Sequence, residues 1–197
     1  MSAAQIPGRT AFLWIYREWI ASKPRQGANV IEVGVALGRS IAALCEMLDE
    51  AGRDDVNVFA VDPWAGTAQN GEQQQLAAAA GGDFALYAKM MLEHAPCAFQ
   101  RVRVLRVRGD EAAALFGERG KLGQADCVVL DGAHDYQSVV DEIRAWGWSQ
   151  RPGGIIGGDD YHEQEYPGVV QAVGDVFEAK AVTVRRDNDW PTWRASW

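Results

Sequence analysis

The chain has 197 residues, of which 48% are hydrophobic and 23% are charged. These values are typical of one folded globular domain and exclude a chain that is disordered throughout. The formal net charge of −8 argues against a nucleic-acid-binding surface, because such surfaces present clustered lysine and arginine to phosphates. The N-terminus has no basic segment followed by an apolar one, and no apolar stretch of about 20 residues occurs, so we expect a cytoplasmic protein without a membrane span.

Predicted helices and strands alternate along the chain after an N-terminal helical segment within residues 1–27. The spacing of apolar residues predicts helices over 9–21, 40–52, 84–95, 110–120, 136–150 and 168–179. Short β-branched or alternating runs predict strands over 28–34, 56–62, 101–107, 125–131 and 153–160, then two closing strands within 181–186 and 190–197. Because such alternation builds βαβ units, the predicted fold class is α/β with a mostly parallel sheet.

Residues 63–83 follow neither pattern and are rich in glycine, alanine and glutamine. This composition fits an active-site lid, and it fits a surface insertion equally well. We therefore treat the segment as a candidate lid.

The three cysteines, Cys45, Cys97 and Cys127, stand far apart and among apolar neighbours. They form no CxxC pair and no Cys/His pattern at metal spacing, which argues against a disulfide framework and a structural zinc site. We expect all three to be reduced, buried thiols.

Acidic residues stand on or beside the carboxyl ends of the first five predicted strands. They are Glu32, Asp62, Asp110, Asp131 and the pair Asp159–Asp160. The carboxyl ends of parallel strands meet at one edge of a sheet, where ligands of such folds bind. One acid that caps a helix is common, but acids at five strand ends predict a binding site.

The turn after the first strand, "EVGVALGRS" (residues 32–40), contains glycines where a ligand can approach the backbone closely. It matches neither G-x-G-x-x-G nor the P-loop motif, which disfavours a dinucleotide or a polyphosphate. Acidic strand ends would also repel phosphates. They suit a ligand with hydroxyls and positive charge, and S-adenosylmethionine (SAM) has both.

Five segments together resemble class I SAM-dependent methyltransferases: "VIEVGVALGRS", "VFAVDPW", "VRGDEAAAL", "VVLDGAHDY" and "RPGGIIGGDDY". The resemblance covers about residues 28–178 and is strongest to small-molecule O-methyltransferases that tailor macrolide sugars and aminocoumarins. It implies a Rossmann-like fold in a single domain over 1–197, with a seven-stranded sheet, helices on both faces and an antiparallel last strand. The first loop departs from the family's common E-x-G-x-G-x-G form, since it lacks the middle glycine.

The resemblance also implies which residues contact SAM. Glu32 and Gly34 would line the methionine end, and Asp62 would accept hydrogen bonds from the ribose diol. Asp110, with Gly109 beside it, would meet the adenine amine.

Three further residues belong to this implied cofactor site. Ser40 would assist at the N-terminus of the first crossover helix. Trp64 directly follows Asp62 and Pro63, so it would stack near the adenine or close the acceptor pocket. Asp131 would contribute from the end of the fourth strand.

In the metal-dependent branch of the family, an Asp after strand four and an acidic pair after strand five bind a divalent cation. Asp131, Asp159 and Asp160 match those positions. Oxygen ligands favour Mg²⁺ or Mn²⁺, and three carboxylates at neighbouring strand ends would repel one another without a cation. His134 matches the family's general base, which would take a proton from the acceptor hydroxyl.

Other interpretations of these residues stay open. Asp131 or, better placed, Asp135 fits an N-cap of the helix over 136–150, and the acidic pair fits a solvated turn. His134 fits a plain hydrogen-bonding role, and His162 is a weaker candidate for a base.

The alternative functions are a metal-independent methyltransferase, a non-catalytic SAM-binding module and a nicotinamide-dependent oxidoreductase, which the missing G-x-G-x-x-G motif disfavours. The predicted partner is a small molecule with a hydroxyl, either a sugar or a phenolic natural product.

Three tryptophans lie near the C-terminus. Trp190, Trp193 and Trp197 fit core positions or a homodimer contact.

Overall fold

The computed structural model describes residues 2–65, 71–177, 181–186 and 190–196, without the side chains of 71–73. Seven strands form one sheet: β1 Asn29–Val33, β2 Asn57–Val61, β3 Arg103–Leu105, β4 Ala125–Leu130, β5 Gln150–Gly158, β6 Val182–Arg185 and β7 Thr192–Ser196. The helices are α1 Leu13–Ala21, α2 Arg39–Glu50, α3 Gly71–Ala80, α4 Asp83–His94, α5 Pro96–Arg101, α6 Gly109–Ala113, α7 Tyr136–Ser149 and α8 Pro167–Val176. A short 3-10 turn, Ala3–Gln5, precedes α1.

The strand order across the sheet is β3-β2-β1-β4-β5-β7-β6. Strands β1 to β5 pair in parallel, whereas β7 runs antiparallel to both β5 and β6. The predicted α/β fold with an antiparallel last strand is therefore confirmed. The order reverses between β1 and β4, and in open parallel sheets a ligand crevice lies at such a switch point.

Two hydrophobic clusters cover the two faces of the sheet. Successive side chains of β1 point to opposite faces of the sheet. Val30 therefore packs in one cluster, whereas Ile31 and Val33 pack in the other. The first cluster includes residues of α1, α2 and α4, and the second includes residues of α6, α7 and α8. Both faces of the parallel strands are buried, which explains why β1 and β4 read as nearly continuous apolar runs.

Helix α2 illustrates how the sequence determines packing. Its buried residues Ile41, Leu44, Cys45 and Leu48 recur at helical spacing and face the sheet. Helix α7 has a similar buried stripe, and it begins after Asp135, whose carboxylate accepts a hydrogen bond from the Ser138 amide at 3.0 Å. Asp135 is thus the N-cap of α7, which leaves Asp131 free of that role.

Several predicted boundaries are wrong. Helix α6 ends at Ala113 and not near residue 120, and β5 begins at Gln150, so Pro152 lies within a strand. Helix α5 was not predicted, because its six residues are too few for a clear periodic pattern. The candidate lid contains α3, although residues 66–70 lie outside the described part of the chain, and its role as a lid stays a prediction.

Two side-chain expectations also need correction. Cys45 and Cys127 are buried, but Cys97 is exposed near the start of the short helix α5. A tryptophan in an amphipathic helix is expected to pack against the core, yet 89% of Trp148 in α7 is exposed. Trp193 is a core residue and so offers no dimer contact, whereas Trp197 lies outside the described residues.

The N-terminal helix is tied to the last strand of the sheet. The Trp14 indole Nε1 donates to Thr192 Oγ1 at 2.7 Å, and both residues are buried. Since the two residues are 178 positions apart, this bond holds the N-terminal helix against a strand from the C-terminal end of the chain.

We expect Thr192→Val to lower the free energy of unfolding by about 1–3 kcal/mol, because the buried Trp14 N–H loses its acceptor while the side-chain shape is kept. Chemical denaturation followed by circular dichroism measures the change. Thr183→Val on the exposed part of β6 is the matched control and should change stability by less than about 0.5 kcal/mol. Equal effects of the two substitutions would contradict this role of Thr192.

Candidate functional site

A cavity of about 920 Å³ opens at the carboxyl ends of the parallel strands. Its volume lies in the range of small-molecule binding sites. The lining includes Arg9, Gly34, Asp62, Gly109, Asp110, Asp131, His134, Glu142, Asp159, Asp160 and Tyr166. The structure therefore brings most of the acidic strand ends, and the histidine between them, to one shared space.

The floor of the cavity depends on Gly34. This residue has φ +86°, and a Cβ built on it would lie 2.2 Å from the carbonyl oxygen of Asp131. The Asp131 amide in turn donates to the Val33 carbonyl at 2.8 Å. The ends of β1 and β4 are thus held together with no side chain between them, which only glycine permits.

Asp62 lines the cavity and holds the first loop in place. Its Oδ1 accepts from the Trp64 amide at 2.6 Å and its Oδ2 accepts from the Ala36 amide at 3.0 Å. Burial raises the pKa of Asp62, although the two amides oppose that shift. Asp62 is only 4% exposed, and its contact with the ribose of the cofactor stays a prediction.

Glu32 and Ser40 lie behind the wall of the cavity and are absent from its lining. Glu32 is fully buried, and its two oxygens accept from Tyr16 Oη at 2.7 Å and from Ser40 Oγ at 2.5 Å. Burial raises the pKa of Glu32 to about 7 against the effect of these hydrogen bonds. In this arrangement the carboxylate joins α1 to β1 and α2, and a direct contact with the cofactor stays a prediction.

Trp64 is also buried and lies outside the cavity lining. Its indole Nε1 donates to the Ala36 carbonyl at 2.8 Å, and its ring packs against Phe84 and Tyr87 of α4. The tryptophan therefore supports the loop that carries Asp62, and its predicted stacking on a ligand remains untested.

Gly109 and Asp110 begin α6 and line the far end of the cavity. Asp110 Oδ1 accepts from Arg108 Nε at 3.0 Å, and this bond lowers the pKa of Asp110. Sequence reasoning missed Glu142 of α7, which also lines the cavity. Its helical position gave no signal, because an acid on an amphipathic helix normally faces solvent.

The other end of the cavity holds Asp131, His134 and Asp160. Ligand atoms of these three residues all lie within 4.8 Å of one another, a spacing at which they could hold one metal ion. His134 Nε2 lies 2.7 Å from Asp160 Oδ2, and Trp190 Nε1 donates to Asp160 Oδ1 at 3.0 Å. The hydrogen bond to Asp160 raises the pKa of His134, although burial opposes the rise.

Asp159 lines the same cavity but is outside this three-residue cluster. Its Oδ1 is buried and has no hydrogen-bond partner within the part of the chain that the structure describes. Desolvation, followed by the charge of Asp160, raises the pKa of Asp159 to about 7. Desolvation and the charges of both neighbours also raise the pKa of Asp131 well above its ordinary range. The charge of Arg9 opposes the rise at both carboxylates, and the charge of His134 opposes it at Asp159, but neither effect outweighs desolvation.

Aromatic rings surround the histidine end. The Tyr166 ring centroid lies 4.5 Å from that of His134, and the Arg9 guanidinium lies 4.0 Å over the Trp190 ring. His162, the weaker candidate for a base, uses Nδ1 to accept from the Gln164 and Glu165 amides and stacks on Trp190. Its Nδ1 is thus already occupied.

Residues 31–161 match the model of a family described as a methyltransferase domain. The chain belongs to this family. It is a class I SAM-dependent methyltransferase, and the fold and the acidic cavity agree with that assignment. No curated protein matches the sequence significantly.

Solved structures similar to this methyltransferase share its fold at low identity. CalS11, a TDP-rhamnose 3'-O-methyltransferase of calicheamicin biosynthesis, is 15% identical with a TM-score of 0.67, over 94% of this chain and 78% of that one. The O-methyltransferase NovP is 18% identical with a TM-score of 0.59, over 93% and 77% of the chains. A protein described as a putative rRNA methylase from Clostridium thermocellum is 12% identical with a TM-score of 0.61, over 97% and 99%. Among the described residues, no helix combines the length and apolar character needed to cross a membrane.

We expect Glu32→Gln to change how the stability of the methyltransferase depends on pH. The pKa of Glu32 is raised from 4.5 to about 7 in the folded protein, so the folded state holds this proton more tightly than the unfolded chain does. Its contribution to stability is full below pH 4.5 and declines as pH rises towards 7.

The difference in unfolding free energy between wild type and Glu32→Gln should therefore fall by about 2–3 kcal/mol from pH 5 to pH 8. Urea denaturation at several pH values measures it. The charge of Glu32 also raises the pKa of Asp131, so its removal lowers that pKa and changes the difference in the same direction. A difference that stays constant across this range would contradict the raised pKa of Glu32.

Proposed function

We propose that the protein transfers the methyl group of SAM to a hydroxyl of a small molecule, with a divalent cation bound by Asp131, Asp159 and Asp160 and with His134 as general base. The observation that carries the proposal is the convergence of Asp131, His134 and Asp160 within 4.8 Å in the large cavity. Carboxylates and an imidazole at this spacing are the groups that metal-assisted proton removal needs.

The residues present fit a hard divalent cation. Asp131, Asp159 and Asp160 supply oxygen donors, and the buried Oδ1 of Asp159 has no partner among the described residues. Oxygen donors of this kind favour Mg²⁺ or Mn²⁺. When bound, such a cation offsets the repulsion between the carboxylates and makes an acceptor hydroxyl more acidic.

His134 is suited to remove the hydroxyl proton. Because Nε2 faces Asp160, the other ring nitrogen, Nδ1, is the one that can accept a proton from the substrate. The Tyr166 ring packs close to the imidazole and limits its rotation. The hydroxyl oxygen then attacks the sulfonium methyl, the sulfur–methyl bond breaks, and the products are a methyl ether and S-adenosylhomocysteine.

The cofactor would occupy the remainder of the cavity. Gly34 and Asp62 line this part, Asp62 can accept from the ribose hydroxyls, and Gly109 and Asp110 line the far end. The acidic lining attracts the sulfonium and ammonium groups of SAM. Holding both reactants in line accounts for up to about 7–11 kcal/mol of the barrier.

The acceptor would lie against the aromatic rings of Tyr166 and Trp190, which suit the flat faces of a sugar or a phenol. The names of two similar structures, a sugar O-methyltransferase and an O-methyltransferase, support a small hydroxylated acceptor. One similar structure is described as an rRNA methylase, but the net charge of −8 disfavours RNA as a substrate here.

A metal-independent reaction is the second candidate, since His134 already gives Asp160 a hydrogen-bond partner without a cation. In that case His134 would act with Asp160 alone. A measurement of metal binding distinguishes this reaction from the metal-dependent one.

Asp160→Asn should weaken Mg²⁺ and Mn²⁺ binding at least about tenfold, because a charged ligand is lost while the side-chain shape is kept. Titration calorimetry of each metal into the purified protein measures the affinity. Asp175→Asn, a change at an exposed carboxylate that pairs with Tyr136, is the control and should bind metal as wild type does. Equal affinity of wild type and Asp160→Asn would remove the metal from the proposal.

His134→Ala should lower turnover about 10²–10⁴-fold, since the base is lost, and should change SAM and Mg²⁺ affinity less than about twofold. Turnover is measured with labelled SAM and an acceptor found by a screen of hydroxylated sugars and phenols. Added imidazole should restore part of the rate. Unchanged turnover would dismiss the role as base, and a large loss of Mg²⁺ affinity would make His134 a metal ligand.

A further inference from the structure

Two arginines, Arg9 and Arg108, line the otherwise acidic cavity. Arg108 is paired, because its Nε donates to Asp110 Oδ1 at 3.0 Å. The Arg9 guanidinium has neither a carboxylate at ion-pair distance nor a hydrogen-bond acceptor among the residues that the structure describes. It lies instead 4.0 Å over the ring of Trp190. The N–H donors of Arg9 are therefore available to a ligand.

The chain that carries Arg9 is anchored to α2. Arg39 Nη1 donates to the carbonyl of Gly8 at 2.9 Å, and the Ala3 amide donates to Glu46 Oε1 at 2.8 Å. The backbone is thus fixed directly before Arg9, and the ring contact restricts the side chain. A guanidinium that is already held in place loses less conformational freedom when a ligand binds.

Arg9 lies at the same end of the cavity as the proposed base. The ring beneath it belongs to Trp190, whose Nε1 donates to Asp160 Oδ1 at 3.0 Å, and Asp160 Oδ2 lies 2.7 Å from His134 Nε2. The charge of Arg9 also acts on Asp131, where it opposes the rise in pKa that burial and the neighbouring acids cause. A group bound to Arg9 would therefore lie close to the hydroxyl that reacts.

We propose that Arg9 selects an acceptor that carries an oxyanion, either a carboxylate or a phosphate, in addition to the hydroxyl that is methylated. This inference rests on the proposed function, because it names the class of acceptor for the same site. A guanidinium presents its donors as a planar fork that matches two oxygens of either group. A neutral sugar or phenol offers only uncharged partners, with which hydrogen bonds are weaker.

The acidic residues of the cavity do not exclude an anionic acceptor once the cofactor is bound. The sulfonium of SAM is cationic, and a divalent cation would add positive charge beside Asp131, Asp159 and Asp160. These charges offset the carboxylates. Arg9 has no carboxylate of its own to offset, so its charge remains for the acceptor.

The experiment measures acceptor binding by titration calorimetry in the presence of sinefungin. This SAM analogue carries an ammonium group in place of the sulfonium and cannot transfer a methyl group. Two matched pairs of probes differ in charge: protocatechuate with its neutral amide, and glucosyl phosphate with methyl glucoside. Each titration is done with Mg²⁺ and without it.

We expect wild type to bind the anionic member of at least one pair at least about tenfold more tightly than its neutral partner. The pair that shows the preference tells a carboxylate from a phosphate. Arg9→Gln should reduce the preference to less than about twofold, with Mg²⁺ and without it. Thermal unfolding checks that the variant is folded.

Arg103→Gln is the matched control. Arg103 is also exposed and lies over an aromatic ring, that of Phe59 at 5.5 Å, but it begins β3 at the end of the strand opposite the cavity. Its preference should stay within about twofold of wild type. Absence of a preference in wild type, or an equal loss in both variants, would overturn the inference.

The outcome is separable from that of the proposed function. No methyl group is transferred in these titrations, so the base role of His134 does not enter. A loss in Arg9→Gln that is also seen without Mg²⁺ supports the inference even if the metal is removed from the proposed function. A preference that needs Mg²⁺ and is unchanged in Arg9→Gln would show that the anion binds the metal, and would overturn the role of Arg9.

Discussion

The close contact between the ends of β1 and β4 is the constraint on which the site depends. Gly34 lies against the carbonyl of Asp131, and a single added carbon would collide with it at 2.2 Å. This contact holds the turn after β1 next to the residues after β4, at the point where the strand order reverses. The cavity is therefore a product of sheet topology, and the side chains that line it are carried by rigid strands.

Unfavourable electrostatics follow from that geometry. Parallel strands deliver Asp131, Asp159 and Asp160 to one place, and desolvation raises the pKa of the first two. These groups do not stabilise the fold, because burying a carboxylate without a partner lowers the free energy of unfolding. Such carboxylates at a ligand-binding edge favour a cationic ligand, and the sulfonium of SAM is cationic.

The fold and the edge of the sheet that carries the site could be predicted from the sequence, because both depend on local patterns of residues. Strand ends followed by acids located the edge of the sheet, and the resemblance to metal-dependent methyltransferases pointed to Asp131, His134 and the acidic pair. The roles of Glu32 and Trp64 could not be predicted from the sequence, since each depends on partners distant in the chain, such as Tyr16 for Glu32. Glu142 was missed for the same reason, because its surroundings are set by the packing of α7 against α6. Helix α5 and the exposed Cys97 were missed because six residues carry too little periodicity.

The N-terminal segment is anchored to the body of the fold and contributes to the cavity. Ala3 is buried and its amide donates to Glu46 at 2.8 Å, while Arg39 donates to the carbonyl of Gly8 at 2.9 Å. These bonds bring Arg9 into the wall of the cavity. Removal of these residues would therefore take Arg9 out of the wall of the cavity.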